Sequence, residues 1–201
     1  MNYIKIGNTK IELTEEQINE IKEQFGIEKV VLSSIEQGGT FKIGKHEFFV
    51  LEQSGDTTAV ILKDLLHREV QFGNNNNYDG SDVDKLCNEF ATEISKCCGE
   101  ENLIEHTVDL ITDDGLKDYG KVRRKISLLT AEMYRKYVYV LDNHKPDGWW
   151  WLATAHSTAT HNNPNWVKCV SPSGNFDGIY YDNNFGVRPF CILKSNIFVS
   201  K

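Results

Sequence analysis

Apolar and polar residues alternate from the first residues of the chain. Ile4 and Ile6, then Ile11 and Leu13, recur at every second position on either side of Gly7-Asn8, the spacing of a β-hairpin whose side chains point to two faces in turn. Thr14-Glu15-Glu16-Gln17 has the form of a capping box, in which the threonine hydroxyl accepts from a free amide and the glutamine reaches back. Ile18, Ile21 and Phe25 share one face of the helix that follows, and Gly26 ends it. Residues 1–34 are thus expected to form a small hairpin-and-helix unit. Its apolar face needs cover from the main domain or from another subunit, which makes residues 3–25 a candidate contact for a homo-oligomer.

A larger domain is expected over residues 35–201. Thr40 to Ile43 and Glu47 to Leu51 flank Gly44-Lys45 as a second hairpin, and Thr58 to Leu62 adds a strand. The run Phe72-Gly73-Asn74-Asn75-Asn76-Asn77-Tyr78 is a loop, because asparagine and glycine favour turns. Ser81 caps a helix with Val83, Leu86, Cys87, Phe90 and Ile94 at helical spacing, closed by Cys97-Cys98-Gly99. Leu103 to Leu110 is assigned to a strand, Asp113-Asp114-Gly115 through Tyr119-Gly120 to a turn-rich loop, and Thr130 opens a second helix carrying Met133, Tyr137, Val138 and Leu141 on one side.

Pro146 and Gly148 lead into Trp149-Trp150-Trp151-Leu152-Ala153-Thr154. Each large aromatic brings roughly 150–250 Å² that is better buried, so these residues predict a central strand covered on both faces, with Trp149 and Trp151 sharing one of them. The sequence after it is of the opposite kind. His156-Ser157-Thr158-Ala159-Thr160-His161-Asn162-Asn163-Pro164-Asn165 and Asn175-Phe176-Asp177-Gly178-Ile179-Tyr180-Tyr181-Asp182-Asn183-Asn184 are polar and turn-rich.

The order Trp149 to Thr154, Val167 to Val170 with Ser173-Gly174, then Gly186-Val187-Arg188-Pro189 resembles a domain of unknown function found in gut bacteria and their phages. Glu105 to Leu110 and Ser127 to Thr130 also resemble it, so the likeness extends over roughly residues 35 to 199. It implies an α+β, C-type-lectin-like fold related to formylglycine-generating enzymes, with two helices and a mostly antiparallel twisted sheet. It says little about function, since such folds carry many activities. Related lectin-like folds, including phage receptor-binding proteins, use the final third as a variable binding face.

The net charge of −7 is uneven: from residue 142 onward five Lys or Arg stand against four Asp or Glu, leaving 17 against 25 before it. An acidic chain without a basic patch is a poor partner for a nucleic-acid backbone. Five cysteines without CxxC spacing resemble the reduced thiols of a cytosolic protein. The first residues lack a secretory apolar region and no apolar run is long enough for a membrane span. The expected location is therefore the cytoplasm of the host cell or an assembled virion.

His156 and His161, with Cys169 and Cys191 downstream, could be gathered around zinc, but neither CxxC nor HxxxH spacing is present and hydrogen-bonding loop histidines fit better. Asn163-Pro164-Asn165-Trp166 keeps the proline and an amide of a calcium-dependent lectin motif without its carboxylate. No cofactor is expected. Arg188 is expected on a core strand, where carboxylate or backbone acceptors must hold it. Two functions remain. The first is a non-catalytic binding protein, phage or prophage encoded, that recognises a host receptor or inhibits a host defence protein through His156, Thr158, His161, Asn163, Asn165, Trp166, Phe176, Asp177, Tyr180, Tyr181, Asn183 and Asn184. Its ligand is a protein or a small molecule, and this mixture of short polar and aromatic side chains is that of a paratope. The second is an enzyme using a metal or reactive cysteines.

Overall fold

The computed structural model describes residues 2–6, 9–14, 16–17 and 29–201. Strands β1 (Asn2–Ile6) and β2 (Thr9–Leu13) pair antiparallel as the first hairpin. Beyond them the capping box forms as the spacing predicts, with Gln17 N donating to Thr14 Oγ1 at 3.2 Å and Thr14 N donating to Gln17 Oε1 at 3.0 Å. Ile18, Ile21, Phe25 and Gly26 of the expected helix lie outside the described residues.

The elements that follow are β3 (Lys29–Val31), β4 (Thr40–Ile43), β5 (His46–Ser54), β6 (Thr57–Leu62) and β7 (His67–Gln71). Helix α1 (Asp82–Cys98) leads to β8 (Leu103–Ile104), β9 (His106–Asp109), β10 (Lys121–Arg124) and β11 (Ile126–Ser127). Helix α2 (Ala131–Leu141) precedes β12 (Trp150–Ala155), β13 (Trp166–Val170), β14 (Phe176–Tyr180), β15 (Asn184–Val187), β16 (Phe190–Lys194) and β17 (Phe198–Ser200). The architecture is α+β with largely antiparallel, curled sheets. One sheet has eight strands in the order β11-β16-β6-β5-β4-β17-β3 with β8 also on β16, and a second has five in the order β14-β13-β12-β15-β7. Parallel pairing occurs between β12 and β15.

Alternation along the central strands builds two cores. Phe48 and Val50 of β5, Val60 and Leu62 of β6, and Trp151 and Ala153 of β12 point into one core, which α1 enters with Val83, Cys87, Phe90 and Ile94. Phe49, Leu51, Ile61, Trp150 and Leu152 point into the other, which α2 fills with Tyr134, Tyr137 and Leu141. Both helix caps form as expected, Ser81 Oγ accepting from Asp84 N and Thr130 Oγ1 from Met133 N, each at 3.2 Å. Strand β12 is buried at every position but begins at Trp150; Trp149, expected within it, precedes it and is 36 % exposed, although Phe185 packs against both Trp149 and Trp151, at 5.3 and 4.8 Å, so these two share a face.

Residues 29–31 pair with β17, and Leu32 is buried in the first core. Two expectations change. Leu103 to Leu110 is two strands: β8 joins the large sheet through β16, while β9 leaves it to pair with β10. Arg188 is not within a strand. It stands between β15 of the small sheet and β16 of the large one, where Pro189, lacking an N–H, interrupts the ladder as the chain crosses between sheets. Gly186 makes the neighbouring close approach possible: its N–H donates to the Trp149 carbonyl at 2.7 Å, and an added Cβ would meet a Leu65 side-chain carbon at 2.5 Å.

Candidate functional site

The loop between β12 and β13 forms a fixed platform beside the start of β13. Its ends are joined by His156 N donating to Trp166 O at 2.8 Å, and Asn163 N donates to Thr158 O at 3.0 Å. A short 3-10 turn over Ala159–His161 ends at Asn162 with φ of 55°, a left-handed conformation that asparagine tolerates.

Side chains distant in sequence hold this loop from below. Asn76, fully buried, donates through Nδ2 to the carbonyls of Ser157 and Trp166 at 2.9 and 3.1 Å and accepts from Tyr119 Oη at 2.6 Å. Asp114 Oδ2 accepts from Ser157 Oγ at 2.6 Å and lies 3.1 Å from His161 Nδ1. Burial opposes ionisation of Asp114, yet the hydrogen bonds from Ser157, Thr112 and His161 hold its carboxyl well below the usual carboxylate range. Asp118 accepts from both Thr160 and Thr158, which lowers its pKa in the same way. Asp113 receives Arg135 Nη2 at 2.7 Å and Lys168 Nζ at 3.3 Å. The Asp113-Asp114-Gly115 segment is legible in the sequence as a turn; its service to a loop some forty residues on is not.

On this support stand two aromatic side chains. Trp166 and Tyr180 are direct partners across β13 and β14, with ring centroids 5.3 Å apart, and they are 37 % and 46 % exposed. His156 lies beside them, 6.5 Å from the Trp166 ring. Tyr181 turns the other way and packs against the first core, so Tyr180 is the outward tyrosine of the pair. Half-buried Asn163 and Asn165 and exposed His161 border this face, and Asn183 Nδ2 donates to the Tyr180 carbonyl at 3.2 Å.

Four of the expected contact residues lie elsewhere. Thr158 is 1 % exposed, its hydroxyl on Asp118 at 2.7 Å, so it supports the loop and has no surface to offer a ligand. Phe176 is at the far end of β14, stacked on Tyr134 at 5.8 Å beneath the cations of Arg135 and Lys168. Asp177 is exposed next to it, opposite Cys169, and accepts from Gly178 N. Asn184 pairs with Gln71 on β7.

Cys169 is buried on β13 and Cys191 on β16, in different sheets. Burial pushes the Cys169 thiol up to about 12, and the Cys191 thiol is raised further, so neither offers a thiolate at neutral pH. Among the described residues no group of three His, Cys, Asp or Glu side chains has the arrangement of a metal site. No helix among them is long and apolar enough to cross a membrane. Concavities of about 600 and 510 Å³ lie against α1 and β10 and around Leu62 to Leu66, and neither is lined by a candidate residue.

Residues 125–195 match a family model described as a domain of unknown function (DUF6273), a span that runs from just before β11 through β16 and includes the whole candidate face. No curated protein and no solved structure matches the chain.

Proposed function

We propose that the chain is a non-catalytic binding protein of C-type-lectin-like fold, encoded by a phage or prophage of gut bacteria, which engages a host macromolecule through the Trp166 and Tyr180 face. The observation that carries this reading is the exposed aromatic pair itself, held on a loop braced by Asn76, Asp114 and Asp118. Large aromatics left in water on a rigid support are what an interface needs, because they contribute contact area with little ordering cost. A broad face with short polar neighbours suits a macromolecule better than a small ligand, which is normally enclosed. The lectin-like part of the proposal is supported by two helices covering opposite cores and by the loop-rich strands of the final third.

The partner is a host surface molecule or a host defence protein. A pull-down with the purified protein from lysate of the host bacterium separates these: a cytosolic complex is expected for the inhibitor and envelope material for the receptor binder. In either case capture is lost with Tyr180→Ala and Trp166→Ala, while their unfolding temperatures stay near that of the parent. Capture unchanged in both variants overturns the reading.

A further inference from the structure

The face around Trp166 and Tyr180 ends at an open sheet edge. Strand β14 is the last of the five-stranded sheet and, among the described residues, pairs with β13 alone. At the two ends of this ladder Tyr181 N donates to Asn165 O and Ser171 N to Asn175 O, both at 2.9 Å. The hydrogen-bonded pairs therefore fall on odd positions, and the backbone groups of Gly178 and Tyr180 turn away from β13. Two of these four groups are occupied locally: Gly178 N donates to Asp177 Oδ1 at 2.7 Å, and Tyr180 O accepts from Asn183 N and Nδ2 at 3.1 and 3.2 Å. The Gly178 carbonyl and the Tyr180 N–H are left facing the open edge.

Sheets protect their edges with charges, proline, bulges or brevity. At the other edge of the same sheet β7 carries His67, Arg68 and Glu69, and β3, β11 and β8, at the ends of the large sheet, have three, two and two residues. β14 has five residues and a single charge, Asp177, which alternation places on the side of Cys169, away from Trp166 and Tyr180. On the side of those two rings Gly178 leaves a notch, where an added Cβ would lie 3.6 Å from Trp166 Cε3 and 3.7 Å from Lys168 Nζ. Lys168 and Arg135 share the Asp113 carboxylate at 3.3 and 2.7 Å, with His156 Nδ1 3.9 Å from it. Two cations thus meet one anion behind the notch.

We propose that the partner docks by adding an extended segment of its own chain to β14, in parallel, with an acidic side chain over Gly178 against Lys168. In a parallel ladder one incoming residue donates to a carbonyl and accepts from the N–H two positions on, and Gly178 and Tyr180 present that pair. An antiparallel bridge needs both groups of one residue, and in each of these residues one group is already taken. The segment's side chains on either side of the bonded residue lie on the side of Gly178 and Tyr180: the first is the acid, and the second, two positions later, is apolar and packs on Tyr180. A second copy of β14 does not fit, because its outward donor and acceptor come from two residues and not from one. The inference rests on the Trp166 and Tyr180 face being the binding surface.

The test uses the full chain and a displayed library of random linear peptides. Enriched peptides are expected to carry Asp or Glu two positions before an apolar residue and to lose binding to Tyr180→Ala. With an enriched peptide added in synthetic form, hydrogen exchange at the Tyr180 amide slows by about tenfold or more. Lys168→Met weakens that peptide by about threefold or more, and exchanging the peptide's acid for its amide gives the same loss on the parent protein, a readout that stands even where the variant fails to fold. No enriched peptide, a peptide that depends on Tyr180 yet leaves its amide exchange unchanged, or a dimer that protects this amide without peptide overturns strand addition. In those cases loss of lysate capture by Tyr180→Ala still upholds the binding face, whereas unchanged capture overturns the face itself.

Discussion

Trp166 and Tyr180 face each other across β13 and β14 at 5.3 Å, and neither is covered by another part of the chain to the degree their size would favour. Tyr181, the next residue, packs inward. If the pair is an interface anchor, Tyr180→Ala weakens partner binding by about 2 kcal/mol or more with little effect on stability, whereas Tyr181→Ala destabilises the fold. Calorimetric titration with the captured partner, alongside denaturant unfolding, measures both. Silent changes at Trp166 and Tyr180 together with loss of binding on altering the hairpin of β1 and β2 would move the functional surface to the N-terminal unit.

Trp151 is fully buried, contacts Phe72 and Phe185 at 5.6 and 4.8 Å, and donates from Nε1 to Val70 O at 2.8 Å, linking β12 to β7 across the intervening β15. Trp151→Ala is expected to cost about 3–5 kcal/mol, the range for large aromatic deletions in a core. A loss under about 1 kcal/mol in urea unfolding would show that the core does not depend on this ring.

Asn76→Ala leaves the carbonyls of Ser157 and Trp166 without their side-chain donor and the Tyr119 hydroxyl without its acceptor. A cost of about 2–3 kcal/mol is expected from unpaired buried polar groups. Local opening should accompany it. Amide hydrogen exchange then accelerates at His156 and Asn163, whose N–H groups close the loop, while amides of α1 report only the global loss.

His106 is a buried imidazole on β9, with Nε2 2.9 Å from Ser127 Oγ and its ring edge-on to Phe190 at 5.2 Å. Burial draws its pKa down from 6.5 to about 4, against smaller opposing contributions from the Ile104 backbone and Glu105. Above pH ~6.5 both folded and unfolded states hold it neutral. As the pH falls from there towards 4, the unfolded state takes up a proton that the folded state resists, so stability is lost through that window and the loss is complete below it. The full term is roughly 3 kcal/mol. The difference in stability between the parent and His106→Gln, followed from pH 7.5 to 4, should shrink as the pH falls; a constant difference would show that this histidine does not resist protonation.

The parts of the fold that depend on near neighbours along the chain are legible in the residues themselves. The capping box at Thr14, the caps at Ser81 and Thr130, the hairpin about Gly44 and the apolar faces of both helices follow from spacings of two to four residues. The tryptophan strand is legible for a different reason, since adjacent large rings are better covered in the middle of a protein; Trp150 and Trp151 are buried there, while Trp149 stays 36 % exposed before the strand begins. Within the candidate site the residue types are legible and their placement is not: Trp166 and Tyr180 stay at the surface, whereas Thr158 is drawn inside and Phe176 goes to α2.

The sequence by itself determined the two helices of the main domain with their caps, the hairpins about Gly7-Asn8 and Gly44-Lys45 and the core strand after Trp149, because periodicity, caps and turn residues act over a few positions; it did not mark β3, β7, β10, β11 or β14 to β17, whose pairing is set by distant strands. Only the tertiary structure decided that β15 and β16 belong to different sheets, that Arg188 at their junction is met by the carbonyls of Leu62, Lys63 and His144, and that Asn76 and Asp114 carry the loop beneath Trp166. These partners stand between 43 and 126 positions apart along the chain. No local rule selects one asparagine or one carbonyl among many at that distance; the choice is made when buried polar groups must find hydrogen bonds inside a core already shaped by apolar packing.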